Sequence, residues 1–155
     1  MSYLQRILQP GETLRYVGRL HWIVYLPGLV LFAITVAVAA VIIATSQFGN
    51  LVPYLLTALD LLMLASLLTL LAAAVRRWTT EIAVTDRRVI FKRGLIRRHT
   101  IEMNMDKVET VDVDQSLAGR LFGYGDIVVH GTGSSIEPFR KIAAPLDFRN
   151  QVTAR

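Results

Sequence analysis

The chain has 155 residues, 53% of them hydrophobic, a mean hydropathy of +0.44 and no cysteine, so a disulfide framework, a thiol nucleophile and a thiolate metal site are excluded. A net charge of +5 and a pI near 10 would point to nucleic acid in a soluble chain. Here the charge reads as topology instead, because two long apolar runs carry nearly all of the hydrophobic excess and basic residues flank them.

Residues 1–21 form a first segment, with Arg6, Arg15 and Arg19 set against Glu12. Gln9-Pro10-Gly11 marks a turn, and Thr13 to Leu20 reads as one short strand. The two apolar runs follow, at residues 22–45 and 51–75, and neither contains a Lys, an Arg or a Glu. At about 1.5 Å per residue each run, roughly two dozen residues, crosses a hydrocarbon core of about 30 Å with some tilt. The first is too long for the apolar core of a signal peptide, about 7 to 15 residues, and about 20 residues precede it, so it reads as a retained span.

The connection at 46–50 is short and uncharged, whereas Arg76 and Arg77 follow the second run at once. Positive charge on both outer flanks predicts a multi-pass hairpin in the bacterial inner membrane with both termini cytoplasmic. Trp22, Tyr25, Tyr54 and Trp78 stand near the run ends, where amphipathic rings favour the headgroup layer.

Beyond Val75 the pattern changes from continuous to alternating, with Gly, Asp and Asn at short intervals, and about 80 residues remain for one small core. Residues 76–155 are therefore expected to form one cytosolic, mainly β domain. Thr80 to Val84 and Val89 to Lys92 flank the polar turn Thr85-Asp86-Arg87-Arg88 as a hairpin. Gly94 supplies a positive φ before a strand from Leu95 to Met103. Asn104 to Lys107 breaks the pattern before Val108 to Asp114, where Val111 and Val113 face the core and Asp112 and Asp114 face water. Ser116 to Phe122 predicts one or two helical turns, with Ser116 as N-cap, Gly123 as stop, and Leu117 and Leu121 four apart. Strands at Asp126 to Gly131 and Ile136 to Ile142 surround the turn at Thr132-Gly133-Ser134. Pro145 opens a short terminal helix with Phe148 and Val152 on its buried stripe. The expected fold is a transmembrane hairpin followed by a bent antiparallel barrel or sandwich with a C-terminal helix.

Four motifs in order carry a resemblance: Glu81-Ile82-Ala83-Val84-Thr85-Asp86-Arg87-Arg88-Val89-Ile90; Lys107-Val108-Glu109; Gln115-Ser116-Leu117-Ala118-Gly119-Arg120-Leu121-Phe122-Gly123-Tyr124-Gly125-Asp126; and Gly131-Thr132-Gly133 with Pro145-Leu146-Asp147-Phe148-Arg149. Together they resemble the bacterial pleckstrin-homology-like domain of small membrane proteins, two-helix subtype. The resemblance implies a bent β-barrel capped by a helix and a non-enzymatic, membrane-tethered module often suspected of self-association. It implies little about activity, no cofactor is expected, and the phosphoinositide ligand of eukaryotic pleckstrin-homology domains is not carried over.

Asp60 is the ionisable residue inside the runs, roughly 13 Å along the helix from its outer end. At an insertion cost of about 2.5 to 3.5 kcal/mol it must reach water, be protonated or find a polar partner. It reads as an acid near the interface, as a packing contact between hairpins, or as an ion site. Basic pairs recur at Arg76-Arg77, Arg87-Arg88, Lys92-Arg93 and Arg97-Arg98, a candidate surface for anionic lipid or a partner, although neighbours on a strand point to opposite faces. The Gly131-to-Ser135 loop lacks a P-loop lysine and reads as a hairpin turn. Asp112, Asp114 and Asp126 make no acid-base pair by alternation, and His21, His99 and His130 have neither metal-ligand spacing nor a Ser or Cys partner. The expected protein is a membrane-anchored module that self-assembles or binds a partner or the membrane surface, without enzyme activity, metal or nucleic acid. A small oligomeric channel or transporter built from the hairpins is the alternative.

Overall fold

The computed structural model describes residues 8–45, 49–95, 99–132, 134–135 and 138–154. The chain divides into two compact units, a β unit of the residues up to 21 and from 76 onward, and a helical unit of residues 22–75.

In the helical unit a 3-10 turn at Trp22–Tyr25 leads into α1 (Leu26–Thr45), and a second such turn at Gly49–Leu51 leads into α2 (Val52–Thr79). Pro27 and Pro53 each stand second in their helix, where a missing N–H interrupts no intrahelical bond. The second helix runs on past Val75 through Arg76-Arg77-Trp78-Thr79, so its last turn belongs to the β unit. Buried positions recur at Gly28, Thr35 and Ile42 on α1 and at Leu59 and Ser66 on α2. That seven-residue spacing is the seam of two helices packed knobs into holes. At Gly28 the contact is close: a Cβ there would lie 2.8 Å from the Leu70 side chain. A residue with no side chain lets the two helices approach this closely. Thr35 donates its hydroxyl to the Leu31 carbonyl at 2.8 Å and Ser66 to that of Met63 at 2.7 Å, so both buried hydroxyls are satisfied within their own helix.

In the β unit, β1 (Leu14–Gly18), β2 (Glu81–Thr85), β3 (Arg88–Arg93) and β4 (His99–Asn104) form one antiparallel sheet in chain order. The second sheet has β6 (Tyr124–Gly131) paired with β5 (Val108–Asp114), with the short β7 (Ser134–Ser135) and with β8 (Phe139–Ala143). The register of β1 on β2 sets Gly18 beside Ile82 and Val17 beside Ala83. Residues 8–21, which the sequence pattern sets apart as a leading segment, thus complete the first sheet, and the whole helical hairpin is the connection between its first two strands. Ile82, Ala83, Val84, Val89, Ile90 and Phe91 are all buried, without alternation, as central strands covered on both faces require.

The two sheets meet at one corner. Leu20 bridges Ile142, the His21 N–H donates to the Lys141 carbonyl at 2.8 Å, and the Ala143 N–H donates to that of Arg19 at 3.0 Å. Between β4 and β5 a 3-10 turn at Met105–Lys107 turns the chain from one sheet into the other. The architecture is a two-sheet sandwich, one of the two forms expected, and the described strands do not close into a barrel. On β5 the alternation holds, with Asp112 and Asp114 exposed and Val111 and Val113 half-buried. Of the strand expected over Leu95 to Met103 the described part runs His99–Asn104, with 96–98 outside the described residues, and the one expected over 136–142 runs Phe139–Ala143, with 136 and 137 likewise outside them.

Two short helices complete the unit. α4 (Pro145–Thr153) starts on Pro145 and buries Phe148 and Val152, with the Tyr16 ring edge-on to Phe148 at 6.2 Å. α3 (Leu117–Phe122) is capped by Ser116, whose hydroxyl accepts the Gly119 N–H at 3.1 Å. It ends at Gly123 in the left-handed region at φ 75°.

Candidate functional site

Arg88, a member of one of the four basic pairs, turns away from any surface role. Its guanidinium spans both oxygens of Glu12, from Nε at 2.9 Å and Nη2 at 2.8 Å, while Nη1 reaches Glu102 at 2.7 Å. Glu12 also accepts the Thr85 hydroxyl at 2.8 Å and the Gln9 N–H at 2.8 Å. Burial pushes the Glu12 carboxyl up, but the hydrogen bonds from Arg88, Gln9 and Thr85 and the Arg88 charge prevail and hold it at about 2. This cluster is structural, tying the segment before the helices to the β2–β3 turn.

A cleft of 460 Å³ opens on the β unit and gathers three other arginines: Arg76 from the last turn of α2, Arg93 from the end of β3 and Arg140 from the start of β8. Its apolar wall is Leu20 and Ile142, the pair that bridges the sheets, with Pro138 and with Phe139, which stacks face to face on Phe91. Thr80, between α2 and β2, completes the lining, and its buried hydroxyl has no hydrogen-bond partner among the described residues. No carboxylate lines the cleft, and no ion pair joins these three arginines to an acid among the described residues. Neighbouring Glu81 instead stands in register with Lys92 on β3. Guanidinium groups carry planar sets of donors matched to carboxylate or phosphate oxygens, so the arrangement suits a compact oxyanion.

The basic pairs therefore scatter. Arg76 and Arg93 meet at the cleft with Arg140 of a further doublet, Arg140-Lys141, which lies far along the chain from the other four and is brought there by the β6–β8 pairing. Burial, joined by the positive charge of Arg77, depresses the His21 imidazole pKa against the opposing effect of a hydrogen bond to the Phe122 backbone. Arg87 is exposed beside Gly11, and Arg97 and Arg98 lie outside the described residues. Asp60 is exposed on α2, next to buried Leu59 but off the helix seam. His130 and Asp112 lie diagonally across β5 and β6 at 3.0 Å, both open to solvent. Among the described residues no three His, Cys, Asp or Glu side chains cluster as a metal site would require.

The family model described as "Bacterial PH domain" matches residues 19–155, which take in both helices and the β unit except β1 and the residues before it. The chain belongs to the bacterial PH domain family. Neither the curated proteins nor the solved structures give a match. PH-like domains are generally non-catalytic binding modules, and the cleft at the sheet corner is the candidate place for binding.

Proposed function

We propose that this bacterial PH domain is a non-catalytic module anchored by its helical hairpin in the bacterial inner membrane, with its termini in the cytoplasm and its arginine cleft holding the phosphate of an anionic lipid headgroup. The observation that carries the reading is the insertion of the hairpin between two paired strands. Because β1 and β2 are neighbours in one sheet, the chain must leave and return on the same side of any bilayer it crosses. Two helices long and apolar enough to cross satisfy that requirement, and their most apolar stretches are 17% and 11% buried, far below what the core helix of a soluble domain needs. Arg76 and Arg77 at the exit of α2 supply the cytoplasmic charge bias.

In this setting Arg76 sits at headgroup level by chain position, since α2 carries it directly after its apolar stretch. A cleft of this size accommodates a phosphate with part of its ester substituent. Self-assembly belongs to the same reading. Counting about 30 Å back from Arg76 along α2 ends near Leu56, which leaves Asp60 about 6 Å inside the far boundary, where it meets headgroup water or a second hairpin.

The test is lipid retention by the detergent-purified full-length protein, read by native mass spectrometry after exposure to phosphatidylglycerol and phosphatidylcholine. Selective retention of phosphatidylglycerol that is lost in Arg93→Gln and Arg140→Gln supports the cleft. Equal retention of both lipids, or no effect of either variant, overturns it.

A further inference from the structure

The helix α3 turns its apolar side chains outward. Gly119 is its buried residue because the Tyr124 carbonyl would lie 2.6 Å from any Cβ placed there. At about 100° per residue, positions two before and two after Gly119 fall on the opposite face. Those positions are Leu117 and Leu121, 84% and 80% exposed, with Phe122 at 49% beside them. Leu146 extends the patch from the start of α4, where the Ala144 N–H donates to the Gly123 carbonyl at 3.0 Å. Arg120 is exposed on the same short helix. A soluble surface has no use for two nearly naked leucines one turn apart, and burying such side chains recovers roughly 1.5 to 3 kcal/mol each.

What occupies this face follows from where α3 is fastened. The His21 ring stacks on Tyr124 with centroids 5.3 Å apart and hydrogen-bonds to the Phe122 backbone. His21 is the residue before Trp22, at which the first apolar helical segment begins. The C-terminal end of α3 is thus held within side-chain reach of the point where the chain enters its first apolar helix.

We propose that α3 is a membrane-interface wedge, in which Leu117, Leu121 and Phe122 lie in the headgroup and acyl boundary of the bilayer that the hairpin spans. Arg120 stands at headgroup level, as the basic residues of interfacial helices do. The wedge adds a non-covalent contact that restrains rotation of the β unit about its two chain connections. It rests on the membrane-anchored reading but is independent of the arginine cleft.

Because the chain has no native cysteine, single environment-sensitive labels at Leu121→Cys, Glu109→Cys and Val38→Cys in the full-length protein are unambiguous. Reconstitution is into phosphatidylcholine vesicles containing phosphatidylglycerol and lipids that carry a quencher high on the acyl chain. The label at position 121 is expected to lose roughly half of its emission to lipid quenching, as for an apolar face buried about 5 to 10 Å in the boundary, while that at exposed Glu109 is unaffected. If position 38 in α1 is quenched and position 121 is reached by aqueous iodide instead, the wedge is overturned and the anchor stands. If position 38 is not quenched either, both fall. Shielding at position 121 that disappears when the protein is diluted into excess lipid assigns the patch to a second copy of the chain and also overturns the wedge.

Discussion

Glu12 and Arg88 are joined by a two-pronged ion pair at 2.9 and 2.8 Å, and the entire helical hairpin lies between them in the chain. The Glu12 side chain is fully enclosed and that of Arg88 is 12% exposed. Removing one partner of such a pair strands the other, at about 3 to 5 kcal/mol. Arg88→Met is therefore expected to lower the unfolding midpoint of the full-length protein in urea by a margin that Arg87→Met, at an exposed neighbour, does not approach. Acid offers a second check. The folded pKa of Glu12 is about 2, below its ordinary 4.5, so the pair's contribution is complete above about pH 4.5 and is lost as pH falls through about 2. Glu12→Gln should flatten the pH dependence of stability over that interval.

Thr80 gives a prediction of mixed sign. Its buried hydroxyl lacks a hydrogen-bond partner among the described residues, so Thr80→Val removes an unmet polar group and should leave stability unchanged or raise it by about 1 kcal/mol. If the cleft holds phosphate, the same variant binds phosphatidylglycerol more weakly. Loss of Arg93 or Arg140 should cost about 1 kcal/mol of lipid binding, roughly five-fold in affinity, and the effect should shrink with added salt. Titration of the anionic lipid at two ionic strengths measures both.

The β1 to β2 pairing predicts how the β unit can be isolated. A fragment beginning at residue 76 lacks β1 and exposes the edge of β2, whose residues 82–85 are buried in the full fold. It should aggregate, because an apolar strand edge without its neighbour recruits other chains. Joining residue 21 to residue 76 through a flexible Gly/Ser linker should instead give a monomeric, cooperatively melting domain. Size exclusion and circular dichroism separate the two outcomes.

Gly28 tests the helix seam. A Cβ would stand 2.8 Å from two Leu70 side-chain atoms and 3.0 Å from the Thr69 hydroxyl, so Gly28→Val forces the helices apart. The expected result is loss of helix–helix cross-linking between cysteines placed at 28±1 and 70±1 positions, whereas Gly49→Ala, whose added Cβ would meet nothing within 4 Å among the described residues, leaves the seam intact and strains only its turn.

Asp60 distinguishes an assembled hairpin from a solitary one. Asp60→Asn keeps the hydrogen-bonding capacity of a polar contact between hairpins and Asp60→Leu removes it. Detergent-stable oligomers that persist in the Asn variant and weaken in the Leu variant would locate the contact; unchanged oligomers in both would confine Asp60 to the interface with water.

The local rules were legible in the sequence because their causes are local. Apolar length marks both helices, Ser116 and Gly123 bound α3, and Pro145 with Phe148 and Val152 marks α4. Long-range pairing was not legible. Nothing in Leu14–Gly18 reveals that its partner strand lies beyond two helices, and no doublet pattern distinguishes Arg88, enclosed by Glu12 and Glu102, from exposed Arg87. The cleft escaped for the same reason, since Arg76, Arg93 and Arg140 come from three separate elements. Leu117 and Leu121 show the opposite difficulty: their spacing is that of a core stripe, and Gly119 beneath the Tyr124 carbonyl decides that they point outward.

The pairing of Gly18 with Ile82 also bears on how the protein is made. On the membrane-anchored reading, β1 is made before the hairpin and stays without its sheet neighbour until the hairpin has been inserted and β2 has followed. If one helix fails to insert, β1 and β2 are stranded in different compartments and the first sheet never assembles. On that reading, completion of the sheet is a parity check on membrane crossing, and mis-inserted chains would present themselves to proteolysis as unfolded domains.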